Sequence, residues 1–446
     1  MNCFGNRNTP EERHAANSRI DLPTAGRRNR HKLSTALVAL TLSIAGCTEE
    51  PTELGDETAP AAHSEPLTAT CNGNNLSLAT TIALPGRGSS VAFAPSGEQV
   101  LVSGHFKDST TTMRYDAKVY DAITGALDKS FDCHYYWVLS TAWSENPYIG
   151  NVIATGAFDH AIKLWDADAS GSTKCQAGQF KASEGGIAKL LNIDGATTAM
   201  EFSPNGKYLA TANKDGAIRI WQIEPGQNQF RVVSLFWSKA TGNTLSVSWS
   251  PDGTKLVTGD RKLGRVAVWS FDAATDLWSD AEVETFAGVS FTAQRTWFPN
   301  HAAELARTPL FESTGNGWVW NARFSSDGNT VIAATKSGAL IALDATTGEL
   351  RYSVEAPTGP ELHGLAVHPS SSLVAVGGND HKIHFFNGES GGFIKSTSGH
   401  ADTVTALAWS PDGCALASTA GGPRISQKYH TLVSGPDTTA KIWRAQ

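Results

Sequence analysis

The sequence predicts an all-β chain in which seven small four-stranded sheets stand in a closed ring, and three observations predict it. First, one pattern recurs in order along the chain. Ser-Val-Ala-Phe-Ala-Pro-Ser-Gly (90–97) returns as Ala-Met-Glu-Phe-Ser-Pro-Asn-Gly (199–206) and Ser-Val-Ser-Trp-Ser-Pro-Asp-Gly (246–253). It returns again as Ala-Arg-Phe-Ser-Ser-Asp-Gly (322–328) and Ala-Leu-Ala-Trp-Ser-Pro-Asp-Gly (406–413), with weaker copies at 140–144 and 365–369. Second, every copy leads into two further short apolar segments. Third, the last copy is incomplete, and an alternating segment lies spare before the first one.

In order, the aligned apolar residues are Phe93, Trp143, Phe202, Trp249, Phe324, Val367 and Trp409, spaced by 50, 59, 47, 75, 43 and 42 residues. The pattern itself reads as a first strand that ends in a tight turn, because Pro-Asp-Gly and Pro-Asn-Gly supply turn dihedrals. Second strands follow at Val100–Gly104, Val152–Gly156, Tyr208–Ala212, Leu256–Gly259, Val331–Ala334, Leu373–Gly377 and Ala415–Ser418. Third strands alternate at Ala117–Tyr120, Ala161–Trp165, Ala217–Trp221, Val266–Trp269, Ala339–Leu343, Lys382–Phe386 and Ala440–Trp443. A fourth, less regular strand precedes each new unit. The chain stops just after the last third strand, so Leu76–Leu84 is expected to fill the missing place and join the ends of the ring.

The residues Lys163-Leu164-Trp165-Asp166, Arg219-Ile220-Trp221, Lys441-Ile442-Trp443 and Gly399-His400 make this chain resemble the WD40 family. Asp159, Asp215 and Asp437, each six before its Trp, add to the likeness. The resemblance covers about residues 76–446 and implies a seven-bladed WD40-type β-propeller. Stacked blades bury each other's faces, and closing the ring leaves only short edges. It also implies polar tetrads: His134, Thr155, Asp159 and Trp165 in blade 2, and His400, Asp437, Trp443 and Ser418 or Ser434 in blade 7. Blade 3 keeps Thr211, Asp215 and Trp221 but has Ile193 where His is expected, while blades 4 and 5 have Leu263 and Ser337 at the Asp position. A Ser-His-Asp set is also a catalytic constellation, but the resemblance implies a buried structural network, and no catalytic residue is expected.

Excluding Cys3 and Cys47, four cysteines remain: Cys71, Cys133, Cys175 and Cys414. In a propeller Cys71 and Cys414 fall at the same end of blade 7, so a Cys71–Cys414 disulfide is expected to clamp the ring. Cys133 and Cys175 are expected at opposite ends of adjacent blades, which disfavours a pair. The alternative for all four is a small buried apolar side chain. Thirteen His residues show no zincin spacing and no Cys-x-x-Cys occurs, so no metal and no cofactor is expected.

The N-terminal region sets the domain boundaries at 1–46, 47–70 and 71–446. Arg27-Arg28-Asn29-Arg30-His31-Lys32 precedes the apolar Leu33–Ala45, a secretory signal arrangement. Ile44-Ala45-Gly46-Cys47 resembles the lipobox of bacterial lipoproteins, which implies lipid on Cys47 and an exported, envelope-anchored protein; Thr48 in place of Asp implies the outer membrane. The 26-residue lead before Arg27 is long for the family. Residues 48–70 are rich in Glu, Thr, Ala and Pro, with two Leu and no aromatic residue, and read as a flexible tether. The chain carries −7, and residues 1–46 contribute +4 (seven Lys or Arg against three Asp or Glu), which leaves −11 on the rest. An acidic body offers no broad footprint for nucleic acid.

The ring averages about 53 residues per blade against ~40–45 for a plain repeat, and the excess sits in Phe106–Tyr115, Gly178–Gly195, Glu282–Gly317 and Gly421–Pro436. By the family's topology all four open on one end, which marks a recognition face. Candidate anchors there are Arg114, Tyr115, Trp297, Phe298, Arg424 and Tyr429, with Tyr135 and Tyr136 either anchors or, with Trp137, the start of a core strand. The leading expectation is a non-enzymatic scaffold for protein partners. Two others stand beside it: a small-molecule, metal-binding or hydrolytic site at the axial channel mouth, and a structural role in envelope assembly.

Overall fold

The computed structural model describes residues 71, 75–108, 114–148, 150–170, 173–174, 186–191, 196–225, 230–239, 243–261, 264–271, 283–284, 311–313, 318–357, 359–421 and 437–445. All belong to the unit Ser64–Gln446. They form seven antiparallel sheets, one per repeat, as a seven-bladed β-propeller. Blade 5 shows the pattern plainly: Val319–Phe324, Thr330–Thr335, Ala339–Asp344 and Leu350–Glu355 follow one another outward from the axis. Blade 6 repeats it with Leu362–Val367, Leu373–Gly378, Lys382–Asn387 and Phe393–Ser398. Each second strand is buried along its length, because it is covered on both faces by neighbouring blades. Fourth strands such as Leu350–Glu355 alternate exposed and half-buried, as an outermost strand with one covered face must.

The core is divided as the ring is. Seven separate apolar clusters occupy the seven blade interfaces; one joins Ala210, Ile218 and Ile220 of blade 3 to Val247, Trp249 and Trp269 of blade 4. The ring closes through the predicted strand. Leu76–Ala83 pairs antiparallel with Thr439–Ala445, Leu78 opposite Trp443 and Ala83 opposite Thr439. Leu84 N–H then donates to the Thr438 carbonyl at 2.8 Å. Ile82 and Leu84 share a cluster with Val100 and Val102 of blade 1 and Ala440 and Ile442 of blade 7, so the seam is packed like the other interfaces.

Two ends of the ring follow from this winding. The upper end carries the second-to-third-strand turns and the connections between blades. The lower end carries the Pro-x-Gly turns and the third-to-fourth-strand turns. Glycine is required at the latter: Gly206 has φ 68° and an added Cβ would lie 2.2 Å from the Glu145 carbonyl oxygen.

Two of the expected insertions contain whole strands, while Gln99–Asp108 and Arg114–Asp121 run into a further one, Phe106–Tyr115. Gly186–Leu191, inside the 178–195 segment, is the fourth strand of blade 2, and Phe311–Ser313 is the fourth strand of blade 4. Two blades are extended by a fifth strand. Thr173–Lys174 runs parallel to the outer strand Leu127–His134 of blade 1, and Val283–Glu284 pairs with Gly186–Leu191 of blade 2. These short additions blunt exposed sheet edges. The alternating Gly-Ile-Ala-Lys-Leu-Leu was the local signal for the first of these strands.

Candidate functional site

The polar sets are assembled by the upper turns. In blade 2, His134 ends the fourth strand of blade 1, Thr155 sits on a second strand, Asp159 in the following turn and Trp165 on the third strand. His134 Nδ1 donates to the Asp159 carboxylate at 3.0 Å; the Thr155 hydroxyl donates to Nε2 at 2.8 Å and accepts from Trp165 Nε1 at 2.9 Å. That direction follows because an ionised carboxylate can only accept. Asp159 also accepts the Tyr135 N–H at 2.9 Å. Burial alone would raise the Asp159 carboxyl, but His134 and Lys163 reverse this and hold it well below the usual carboxylate range. Blade 7 repeats the set: His400 Nδ1 to Asp437 at 2.9 Å, Nε2 to Ser418 at 2.8 Å, and Trp443 Nε1 to Ser418 at 2.8 Å. Asp437 is likewise driven down, against the opposing effect of burial, by His400 and Thr439. Ser418, rather than Ser434, is the hydroxyl partner; Ser434 lies outside the described residues. Ser418 is fully buried and already accepts the Trp443 N–H, so its oxygen is closed to a substrate. Blade 3, without a His, keeps Trp221 Nε1 to Thr211 at 3.1 Å, and Asp215 turns to Arg219 at 3.3 Å.

Above these networks the seven blades place residues at equivalent backbone positions. In every blade the residue just before the first strand gives its carbonyl to an N–H just beyond the second strand or, in blade 1, within the long second strand Gln99–Asp108. The pairs are Arg87 with His105, Trp137 with Phe158, Ala196 with Lys214, Asn243 with Arg261, Trp318 with Lys336, Glu361 with Asn379, and Thr403 with Gly421. A register shift at the start of each first strand accompanies them, for example between Val138 and Ser140 and between Val319 and Asn321. Such bulges re-aim neighbouring side chains. The rim so formed is aromatic and cationic through blades 1 to 5. His105 packs on Tyr115 at 5.3 Å and on Trp137 at 5.1 Å, and Trp137 on Phe158 at 5.8 Å. The Lys214 ammonium stands 5.2 Å from the Phe158 ring. Arg261 and Lys336 both lie over Trp318, at 4.0 and 3.9 Å. The acids of the upper turns face inward instead, where Asp159, Asp380 and Asp437 meet His134, His384 and His400.

Comparison with known proteins now has a geometry to meet. The model of the WD domain, G-beta repeat, matches residues 125–166, 190–222, 348–387 and 391–444. The chain is a seven-bladed β-propeller that carries WD40 repeats. It is 29% identical over 169 residues to Protein transport protein SEC13 of Pyricularia oryzae, covering 32% of this chain and 53% of that protein. It is 23% identical over 319 residues to the Arabidopsis thaliana protein named Cell division cycle 20.1, cofactor of APC complex, covering 65% of this chain and 63% of that one. It is 25% identical over 301 residues to the 77 kDa echinoderm microtubule-associated protein of Lytechinus variegatus, covering 64% and 41%. The chain thus spans less than two thirds of the length of each of these relatives.

Of the anchors read from the sequence, the propeller places Tyr115 on the rim, against His105. Arg114 begins the strand Arg114–Asp121, with its side chain outside the described residues. Trp297, Phe298, Arg424 and Tyr429 lie outside the described residues, as does Cys47. Tyr135 and Tyr136 are 51% and 59% exposed and precede the strand Val138–Asn146, so they are surface residues and not core. The rim residues that the sequence reading passed over are Trp318, Arg261, Lys336 and Lys214. Their signal was available: Trp137 and Trp318 each stand six residues before an aligned apolar residue.

The cysteines depart from expectation at one position. Cys71 and Cys414, 343 positions apart in sequence, form a disulfide. Cys133, expected to be doubtful as a partner, is also disulfide-bonded; Cys175 lies outside the described residues. The cause is the parallel strand Thr173–Lys174, which carries the chain back beside Phe131 and Asp132 where a plain repeat would stay on blade 2.

At the lower end the axial channel opens into a cavity of about 1100 Å³. Arg323 NH1 meets Glu201 Oε2 there at 2.8 Å and Nε donates to the Leu365 carbonyl at 3.0 Å. The Ser248 hydroxyl and the Trp249 N–H donate to Glu201 Oε1 at 3.3 and 3.4 Å. Burial raises the Glu201 carboxyl, and Arg323 opposes that rise. These charges tie blades 3, 4, 5 and 6 together, and their bonding capacity is largely spent on each other. Among the described residues no group of three or more His, Cys, Asp or Glu could share a metal ion.

Proposed function

We propose that this propeller is a non-catalytic scaffold that binds a protein partner through its upper end, and that it works in the cell envelope, held by lipid on Cys47. The observation that carries the reading is the upper rim of His105, Tyr115, Trp137, Phe158, Lys214, Arg261, Trp318 and Lys336. Large aromatic and Arg side chains at a mouth formed by several blades are the composition of an interaction hot spot. The relatives support it by their names: one is a transport protein, one a cofactor of a complex, one microtubule-associated. The buried Ser418–His400–Asp437 set supports a structural role, because its serine has no open side.

The test is cross-linking capture of the full-length protein from cell envelopes. Replacing Tyr135 and Tyr136 by Ser should remove the captured partner, while Tyr148→Ser, at the lower end, should leave it. The opposite result, or equal capture by both variants, would place the partner elsewhere. For the anchor, Cys47→Ala should move the protein from the membrane to the soluble fraction; continued membrane retention would sink that part alone.

A further inference from the structure

Within the upper rim one group lacks what a buried charge requires. Arg261 is only 9% exposed, and burial lowers the pKa of its guanidinium. Its contact is the Trp318 ring, 4.0 Å away, and among the described residues no carboxylate pairs with it. A second cation, Lys336, lies 3.9 Å from the same ring. Two like charges are therefore brought onto one indole. Among the described residues the carboxylate paired with Lys336 is Glu361, 3.8 Å from Lys336 and 3.7 Å from His363, so it is shared. Two residues on from Trp318, Trp320 stacks on His363 at 4.5 Å, and its indole N–H is buried without an acceptor.

Burying a cation without a counter-charge costs free energy that a folded protein normally avoids. Here the cost is recovered when an anion arrives from solvent. A planar guanidinium over an indole can still offer N–H donors to a carboxylate fork. The flanking aromatic rings offer apolar surface to the stem of an Asp or Glu side chain. The body of the protein is acidic, at −7 overall, so a cationic mouth selects for an acidic partner by contrast with its surroundings.

We infer that the upper mouth between blades 4, 5 and 6 binds an acidic peptide segment of the partner, one of whose carboxylates pairs with Arg261 and Lys336 over Trp318. This rests on the upper-face reading above and narrows it to one place and one chemistry.

The experiment is fluorescence anisotropy of the full-length protein with two labelled dodecapeptides, one of alternating Glu and Ser, the other with every Glu replaced by Gln. The Glu peptide should bind and the Gln peptide should bind at least tenfold more weakly. Arg261→Gln should weaken the Glu peptide about thirtyfold or more, and Lys336→Gln several-fold, both with unchanged thermal unfolding. Glu361→Gln should strengthen binding about two- to fivefold, a gain that misfolding does not produce. Equal affinity for the two peptides, no binding of either, an Arg261→Gln variant that binds as well as the parent, or displacement by millimolar inorganic phosphate at constant ionic strength would each overturn the inference. If Arg261→Gln still captures the envelope partner while the Tyr135 and Tyr136 variant does not, the upper-face reading stands and this site falls.

Discussion

At the scale of single residues, the buried histidines are the most exacting. His134 and His400 each need a carboxylate on one nitrogen and a hydroxyl on the other, and the chain supplies both sets within hydrogen-bond distance. Asp159→Ala would leave His134 buried and half-satisfied. Its expected cost is about 2–4 kcal/mol in denaturant unfolding, with rim binding retained in the folded fraction. The pH dependence has a definite sign. Both folded carboxyls titrate below the unfolded value of about 3.9, so their contribution is complete above that pH and is lost as pH falls below it. Acid unfolding of an Asp159→Asn, Asp437→Asn double variant should therefore be shallower between pH 4 and 2 than that of the parent. The His positions were legible because a fixed offset from Trp409 and Trp143 reaches both. Arg261 was not, because its place on the rim depends on a carbonyl-to-amide pairing between strands that a linear reading does not display.

At the scale of elements, the second and third strands could be read to within about two residues, except in blade 1 and at the end of Ala217–Pro225, since turn chemistry brackets them and their apolar runs are covered on both faces. Fourth strands resisted. They are outermost, alternate weakly, and in blades 2 and 4 are embedded in long connections, as Gly186–Leu191 and Phe311–Ser313 are. The strand Thr173–Lys174 returns to a blade already complete, which no repeat-based reading anticipates. It also bears on the second disulfide. The residue after Lys174 is Cys175, so non-reducing peptide mapping should return the Cys133 peptide joined to that of Cys175; a free Cys133 thiol would refute this. For the clamp, Cys71→Ser with Cys414→Ser should lower stability by about 2–5 kcal/mol, because the bond closes a very long loop. A loss well under 1 kcal/mol would show that the strand pairing of Leu76–Ala83 already holds the ends alone.

At the scale of the whole molecule, the fold was legible because repetition multiplies weak signals, while the proposed binding surface could be read only as an end of the ring. The four long connections pointed to the upper end; which side chains occupy it depended on blade-to-blade geometry. The seven apolar clusters make stability a property of interfaces between neighbours. Trp165→Ala, in the interface between blades 1 and 2, should cost about 3–5 kcal/mol. Truncation after residue 437 should do more, because it removes the third strand of blade 7 and strips Leu76–Ala83 of its partner; a compact, cooperatively melting truncated protein would contradict this.

The seam also sets a timetable. Leu76–Ala83 is among the first parts of the ring to be synthesised, and its partner Thr439–Ala445 is the last. At ordinary elongation rates the two are separated by about 20–70 s. For that interval the early strand presents unpaired N–H and C=O groups, and another copy's Thr439–Ala445 fits it as well as its own. Crowded nascent chains can thus exchange first strands and close two rings as a linked pair. The bond from Cys71 to Cys414 would then lock whichever pairing formed first. Dimers that survive denaturant but separate in reductant, and that become more frequent with expression level, would be the mark of that exchange.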